Sequence, residues 1–123
     1  MLKRNRQILG QHAEDVACDY LQKQGLTLLA RNFRCRCGEI DLIMRHNSAL
    51  VFIEVRLRNH SSYVSGADSV DGHKQGKIIR AAEYYLQQTH TSHYQHCRFD
   101  VLDLRQQSGI FKTNWVQNAF TIE

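Results

Sequence analysis

Apolar residues first fall into a helical rhythm. Between about Ile8 and Gln24, Ala13, Val16, Ala17, Tyr20 and Leu21 follow the i, i+3, i+4, i+7, i+8 spacing of an amphipathic helix, and Gly25 is its stop. Glu14 sits at the edge of that stripe. Leu26 to Phe33 then reads as a strand, and Ile40 to Met44 alternates, placing Ile40, Leu42 and Met44 on one face. Leu50 to Leu57 is a third run of strand formers, with Val51, Ile53, Val55 and Leu57 in phase. The polar stretch His46, Asn47, Ser48 and Ala49 closes the last two into a hairpin. A second helix is predicted over about His73 to Gln88, with Ile78, Ala81, Ala82, Tyr85 and Leu86 on one face and Asp71 as its cap. Arg98 to Leu104 follows as a strand, then a turn at Ser108 and Gly109, then one strand or two short ones over Ile110 to Phe120. The segment from Asn59 to Gly72, rich in Ser, Asn and Gly, is too long for a plain connector and is expected to be a mobile flap beside a site.

The hairpin carries the chemistry. If it is symmetric about Asn47 and Ser48, Ile40 faces Val55, Leu42 faces Ile53 and Met44 faces Val51, all on one apolar side. Asp41 then lies opposite Glu54 on the other side, Glu39 opposite Arg56, and Ile43 opposite Phe52. Directly opposed strand side chains have Cβ atoms about 4.5–5.5 Å apart, where like charges repel. A divalent cation would relieve that repulsion, and hard carboxylate oxygens on a rigid hairpin suit Mg²⁺ or Mn²⁺. Protonation of one acid, a slipped register or a Glu39–Arg56 pair would relieve it too, so the spacing alone leaves both readings open.

Composition narrows the class. The 123 residues fit one domain with a single core, and 42% hydrophobic and 23% charged residues are ordinary for a globular protein. The net charge of +4 is a mild bias toward polyanionic partners. The N-terminal MLKRNRQILG lacks the apolar core of a secretory signal, and no stretch has the length of a transmembrane helix. A cytoplasmic location without a membrane partner is therefore expected, with Cys18, Cys35, Cys37 and Cys97 as reduced thiols. Lys74, Lys77 and Arg80, beside the free N–H groups that open the second helix, favour a phosphate, although a solvated basic face explains them equally well. Arg58, at the end of the third strand, is a further candidate contact to nucleic acid.

The order helix, three strands, helix, strand, with an acid on the second strand and Glu-x-basic on the third, resembles the PD-(D/E)XK nucleases. The expected fold is accordingly α/β and restriction-endonuclease-like, an αβββαβ core whose mixed sheet is flanked by helices. More closely, the chain resembles the YraN-like bacterial family through Gly10, Ala13 and Glu14, Arg31 and Asn32, Gly38 to Ile43, Val51 to Arg56, Lys74, Ala81 to Leu86, and Arg98 to Val101. The resemblance implies a Mg²⁺- or Mn²⁺-dependent endonuclease acting on DNA, on branched or otherwise structured substrates as Holliday-junction resolvases do, with a homodimer compatible. It assigns Asp41 and Glu54 to the metal, with the Val55 carbonyl completing the coordination and Glu14 assisting from the first helix.

Two positions depart from the superfamily motif. Ile40 replaces its Pro, with little catalytic meaning, and Arg56 replaces its Lys. Arginine keeps the charge and can fork onto phosphate, but it does not deprotonate and so cannot act as a base. Lys74 is positioned in sequence to supply an ammonium instead. The alternative is a non-catalytic nucleic-acid-binding module on the same scaffold, its chemistry weakened by Arg56. A third class, a small oligomerising or zinc-stabilised adaptor, draws on His90, His93, His96 and Cys97 and on the Cys35, Cys37 pair, but their spacing matches no familiar zinc finger and reads better as a solvated loop. Of the adjacent Tyr84 and Tyr85, one is expected in the core and one outside, where it could stack on a base; Trp115 is equally ambiguous.

Overall fold

A computed structural model of the chain describes residues 2–59, 70–91 and 96–121. Its elements are α1 (Leu2–Lys23), β1 (Thr27–Cys35), β2 (Gly38–His46), β3 (Ala49–Asn59), α2 (Gly72–Gln88), β4 (Cys97–Gln107) and β5 (Ile110–Phe120). The expected flap falls mostly on residues 60–69, which lie outside the described residues.

The strands form one mixed sheet in the order β1-β2-β3-β4-β5. β1, β2 and β3 pair antiparallel, β3 and β4 pair parallel, and β5 returns antiparallel on β4 as a single strand. A parallel neighbour requires a crossover, and α2 lies in that connection.

Each helix covers one face of the sheet. Ala13, Ala17, Cys18 and Leu21 of α1 pack on Leu42, Met44, Val51, Ile53, Leu102 and Leu104. Ile78, Ala81 and Ala82 of α2 pack on Ile43, Phe52, Phe99 and Val101 from the other side. Both apolar stripes anticipated from the helical spacing are thus the faces the helices bury. Asp71 caps α2 as expected, its Oδ1 accepting the main-chain N–H of Lys74 at 2.9 Å.

One face assignment is corrected. Ile40 does not join Leu42 and Met44 but lies with Ile43 on the α2 side. The cause is in β1, where Arg31 pairs with Leu42 and Phe33 with Ile40, while Asn32 between them adopts the left-handed conformation at φ 52°. Left-handed backbone twists a strand sharply, and Asn tolerates it better than most residues. Across this point Phe33 and Ile40 both turn to the α2 face. Asp41 sits at the break.

Candidate active site

The register of the β2–β3 hairpin is the one expected up to Leu42↔Ile53, where the pairing ends. Beyond it Asp41 meets β3 through its side chain, Oδ2 accepting the main-chain N–H of Val55 at 2.8 Å. A carboxylate thus replaces a ladder carbonyl, which satisfies the Val55 donor and fixes the acid at the strand edge.

Asp41 and Glu54 line one cleft of about 630 Å³, with Gly38 and Glu39 of β2, Arg34 and Cys35 of β1, and Asp71, His73, Lys74 and Lys77 at the start of α2. Burial, then the negative charge of Glu54, pushes the Asp41 carboxyl up to about 8; the Val55 N–H opposes the shift and the field of Glu14 adds to it. The desolvation and the field of Glu54 that disfavour a charged Asp41 are ones that positive charge in the cleft would oppose.

Lys74 supplies a positive charge. Its Nζ lies 2.6 Å from Glu54 Oε1, on a carboxylate side chain only 7% exposed. Asp71 holds the turn of α2 from which Lys74 reaches, and Gly38 lets the helix come close: a Cβ at Gly38 would lie 3.1 Å from both Cβ and the main-chain oxygen of Lys77. Arg56 approaches the same carboxylate more loosely, with Nη1 4.0 Å from Glu54 Oε1 and a buried Nε that has no hydrogen-bond partner.

The other anticipated residues divide. Lys77 lines the cleft, and Arg80 lies one turn further along α2, its guanidinium over Gly76. Glu14 comes from α1 on the opposite face and meets Arg31 at 3.8 Å; its field reaches Asp41, but its side chain is not among those lining the cleft. Arg58 is engaged elsewhere, donating from Nε and Nη2 to the buried Asp103 at 2.9 and 2.8 Å. The expected Glu39–Arg56 pairing is replaced by a Glu39 contact to Arg34 at 3.5 Å.

Arg34, Glu39 and His73 were not anticipated as parts of the cleft wall. Position beside Gly38 and the Asp71 cap was the only signal for them.

Among the described residues, no cluster of three or more His, Cys, Asp or Glu side chains is arranged to hold a metal. His93, one of the residues considered for zinc, lies outside the described residues. No helix among the described residues is long and apolar enough to cross a membrane.

Fold and cleft together define an α/β protein with an acid pair on two inner strands of its sheet, attended by a helix-borne lysine. The chain belongs to the family described as "Uncharacterised protein family UPF0102", which it matches over residues 13–104. It is similar to the UPF0102 proteins of Nitrosococcus oceani (45% identical over 93% of this chain and 92% of the relative) and Alcanivorax borkumensis (45%, over 99% and 98%). The UPF0102 protein of Pseudomonas putida is 46% identical over 90% of both chains.

Proposed function

We propose that this protein is a metal-dependent endonuclease of the restriction-endonuclease-like class that hydrolyses phosphodiester bonds of DNA, branched or otherwise structured DNA in particular. The observation that carries the reading is the convergence of Asp41 and Glu54 in one cleft, with Asp41 held up to about 8.

The donor set fits Mg²⁺ or Mn²⁺. These ions need oxygen ligands, and Mg²⁺ commonly takes only one or two protein carboxylates while water and substrate phosphate fill its remaining positions. Asp41 and Glu54 would hold the ion, with the Val55 carbonyl as the further donor the superfamily resemblance suggests. Such an ion lowers the pKa of a bound water and stabilises charge on the phosphoryl oxygens.

The chain's own groups supply the rest. Val55 N–H orients the Asp41 carboxylate. Lys74, 2.6 Å from Glu54 and itself partly exposed, is placed where its ammonium would also neutralise a phosphate in the cleft. The Arg56 guanidinium, its Nη1 4.0 Å from Glu54 Oε1, would bring positive charge toward the developing phosphoryl charge, although its Nε is buried and its side chain is not among those lining the cleft. Lys77 adds charge along the wall. Glu14 acts on the site through its field, and Arg58 is left out of the proposed binding surface.

Purified protein is expected to cut branched DNA in Mg²⁺ or Mn²⁺, and Asp41→Asn to abolish cutting. Cleavage in the presence of a chelator would contradict the proposal. A second reading, a binding module without turnover, is favoured by Arg56, which cannot serve as a base. It expects salt-sensitive DNA binding and no cleavage in any divalent ion.

A further inference from the structure

We propose that the hollow between the β1–β2 turn and the second half of α2 receives an unpaired nucleotide of the DNA strand whose phosphate lies in the cleft, with Tyr84 stacking on its base. This rests on the phosphodiesterase reading of the cleft and names the substrate feature that the protein recognises beside it.

The hollow encloses about 270 Å³ and is lined by Arg34, Cys35, Arg36, Cys37, Tyr84 and Gln88. Two arginines and no acidic residue line it, and Arg34 also meets Glu39 of the neighbouring cleft at 3.5 Å. Arg34 and Cys35 also line the catalytic cleft, so the two spaces share a wall. Along α2, Lys74, Lys77, Arg80, Tyr84 and Gln88 recur every three or four residues and form one stripe. At 1.5 Å rise per residue, Lys74 and Tyr84 are about 15 Å apart, room for several nucleotide steps of one strand. A row of cations thus leads from the acid pair to an aromatic ring.

Tyr84 is packed less fully than its neighbour. Its neighbour Tyr85 is half-buried, edge-on to Phe33 and Phe52 with ring centroids 5.3 and 6.1 Å away. Tyr84 is 41% exposed, its hydroxyl accepting from Gln88 Nε2 at 3.3 Å and its ring tilted beside Phe33 at 6.2 Å. The hydroxyl end is held by Gln88, and part of the ring faces solvent. Exposed aromatics beside arginines are the usual platform for single-stranded bases, because every base offers a π-face. An acidic peptide would satisfy the arginines but would leave the ring without a role.

Geometry selects the substrate. Bases in a duplex are stacked inside it and cannot enter a side hollow, so only an unpaired nucleotide next to the scissile duplex can. A fork, flap or opened junction has that feature, and a continuous duplex lacks it.

The test is fluorescence anisotropy without divalent ions, comparing a forked DNA with a duplex of equal length. The wild type should bind the fork about tenfold more tightly, a single base–aromatic stack. Tyr84→Ala should lose that preference and Tyr84→Phe should keep it, both melting as the wild type does. Equal affinity for fork and duplex, a preference retained by Tyr84→Ala, or one lost as fully in Tyr84→Phe would overturn the proposal. Since no turnover is read, failure of DNA cleavage is a separate result that would count against the nuclease reading alone.

Discussion

Asp41 Oδ2 accepts the Val55 N–H at 2.8 Å, just past Leu42↔Ile53, the last paired positions of the β2–β3 ladder. The acid therefore holds two strands together where their main chains part. It does so at an electrostatic cost, because burial and Glu54 favour its protonated form.

That cost should be visible in stability. Asp41 has a folded pKa raised from 3.8 to about 8, so its contribution to stability is fully present below the lower value and is lost as pH rises through the higher one. Without divalent ions, the wild type should melt at progressively lower temperature as pH is raised between those limits. Asp41→Asn keeps an acceptor for Val55 and removes the charge, so its melting temperature should be nearly flat across the window and higher than wild type at the alkaline end. Parallel curves for the two proteins would refute this account of Asp41.

Lys74 should matter more to activity than to stability. Its ammonium is partly exposed, so the ion pair with Glu54 is worth about 1 kcal/mol or less to folding. Removing a cation that attends the reacting phosphate costs far more in rate, so Lys74→Gln should lower cleavage by about 10²-fold. Chemical denaturation and single-turnover cleavage on one preparation separate the two effects.

Arg56 decides between turnover and binding alone. With a catalytically competent Arg56, Arg56→Gln should reduce cleavage by at least about tenfold while duplex affinity changes little. If the native protein is inert and Arg56→Lys gains Mn²⁺-dependent cleavage, the scaffold is intact and the binding-module reading is the correct one.

Gly38 is a packing prediction with a functional consequence. An added Cβ would press on the main chain of Lys77, which cannot rotate away as a side chain can. Gly38→Ala should destabilise the fold by about 1–3 kcal/mol and move the start of α2, and Lys74 with it, away from Glu54. Unchanged cleavage together with an unchanged melting temperature would show that the close approach is not what positions the helix.

Much of this architecture was legible in the residues, and the exceptions have identifiable causes. Both helical stripes, the Asp71 cap and the register of the hairpin up to Leu42 follow from spacing, because local periodicity and a two-residue turn determine them. The face of Ile40 did not follow, since it depends on the left-handed Asn32 in the neighbouring strand. Convergence of Asp41 with Glu54 could be inferred from the pairing, but the route could not: Asp41 reaches β3 through its own carboxylate after the ladder has ended. Arg58 illustrates a different limit, because its partner Asp103 lies 45 residues away on a strand that becomes its neighbour only in the folded sheet. Arg34 enters the cleft wall by folding alone as well.

Calorimetric titration with Mn²⁺ of the wild type against Asp41→Asn and Glu54→Gln asks whether the acid pair shares an ion. The wild type should bind one ion per chain, with proton release on the acid side of pH 8, and each variant should lose that binding. Undiminished Mn²⁺ binding by both variants, or none by the wild type, would contradict a metal site at Asp41 and Glu54.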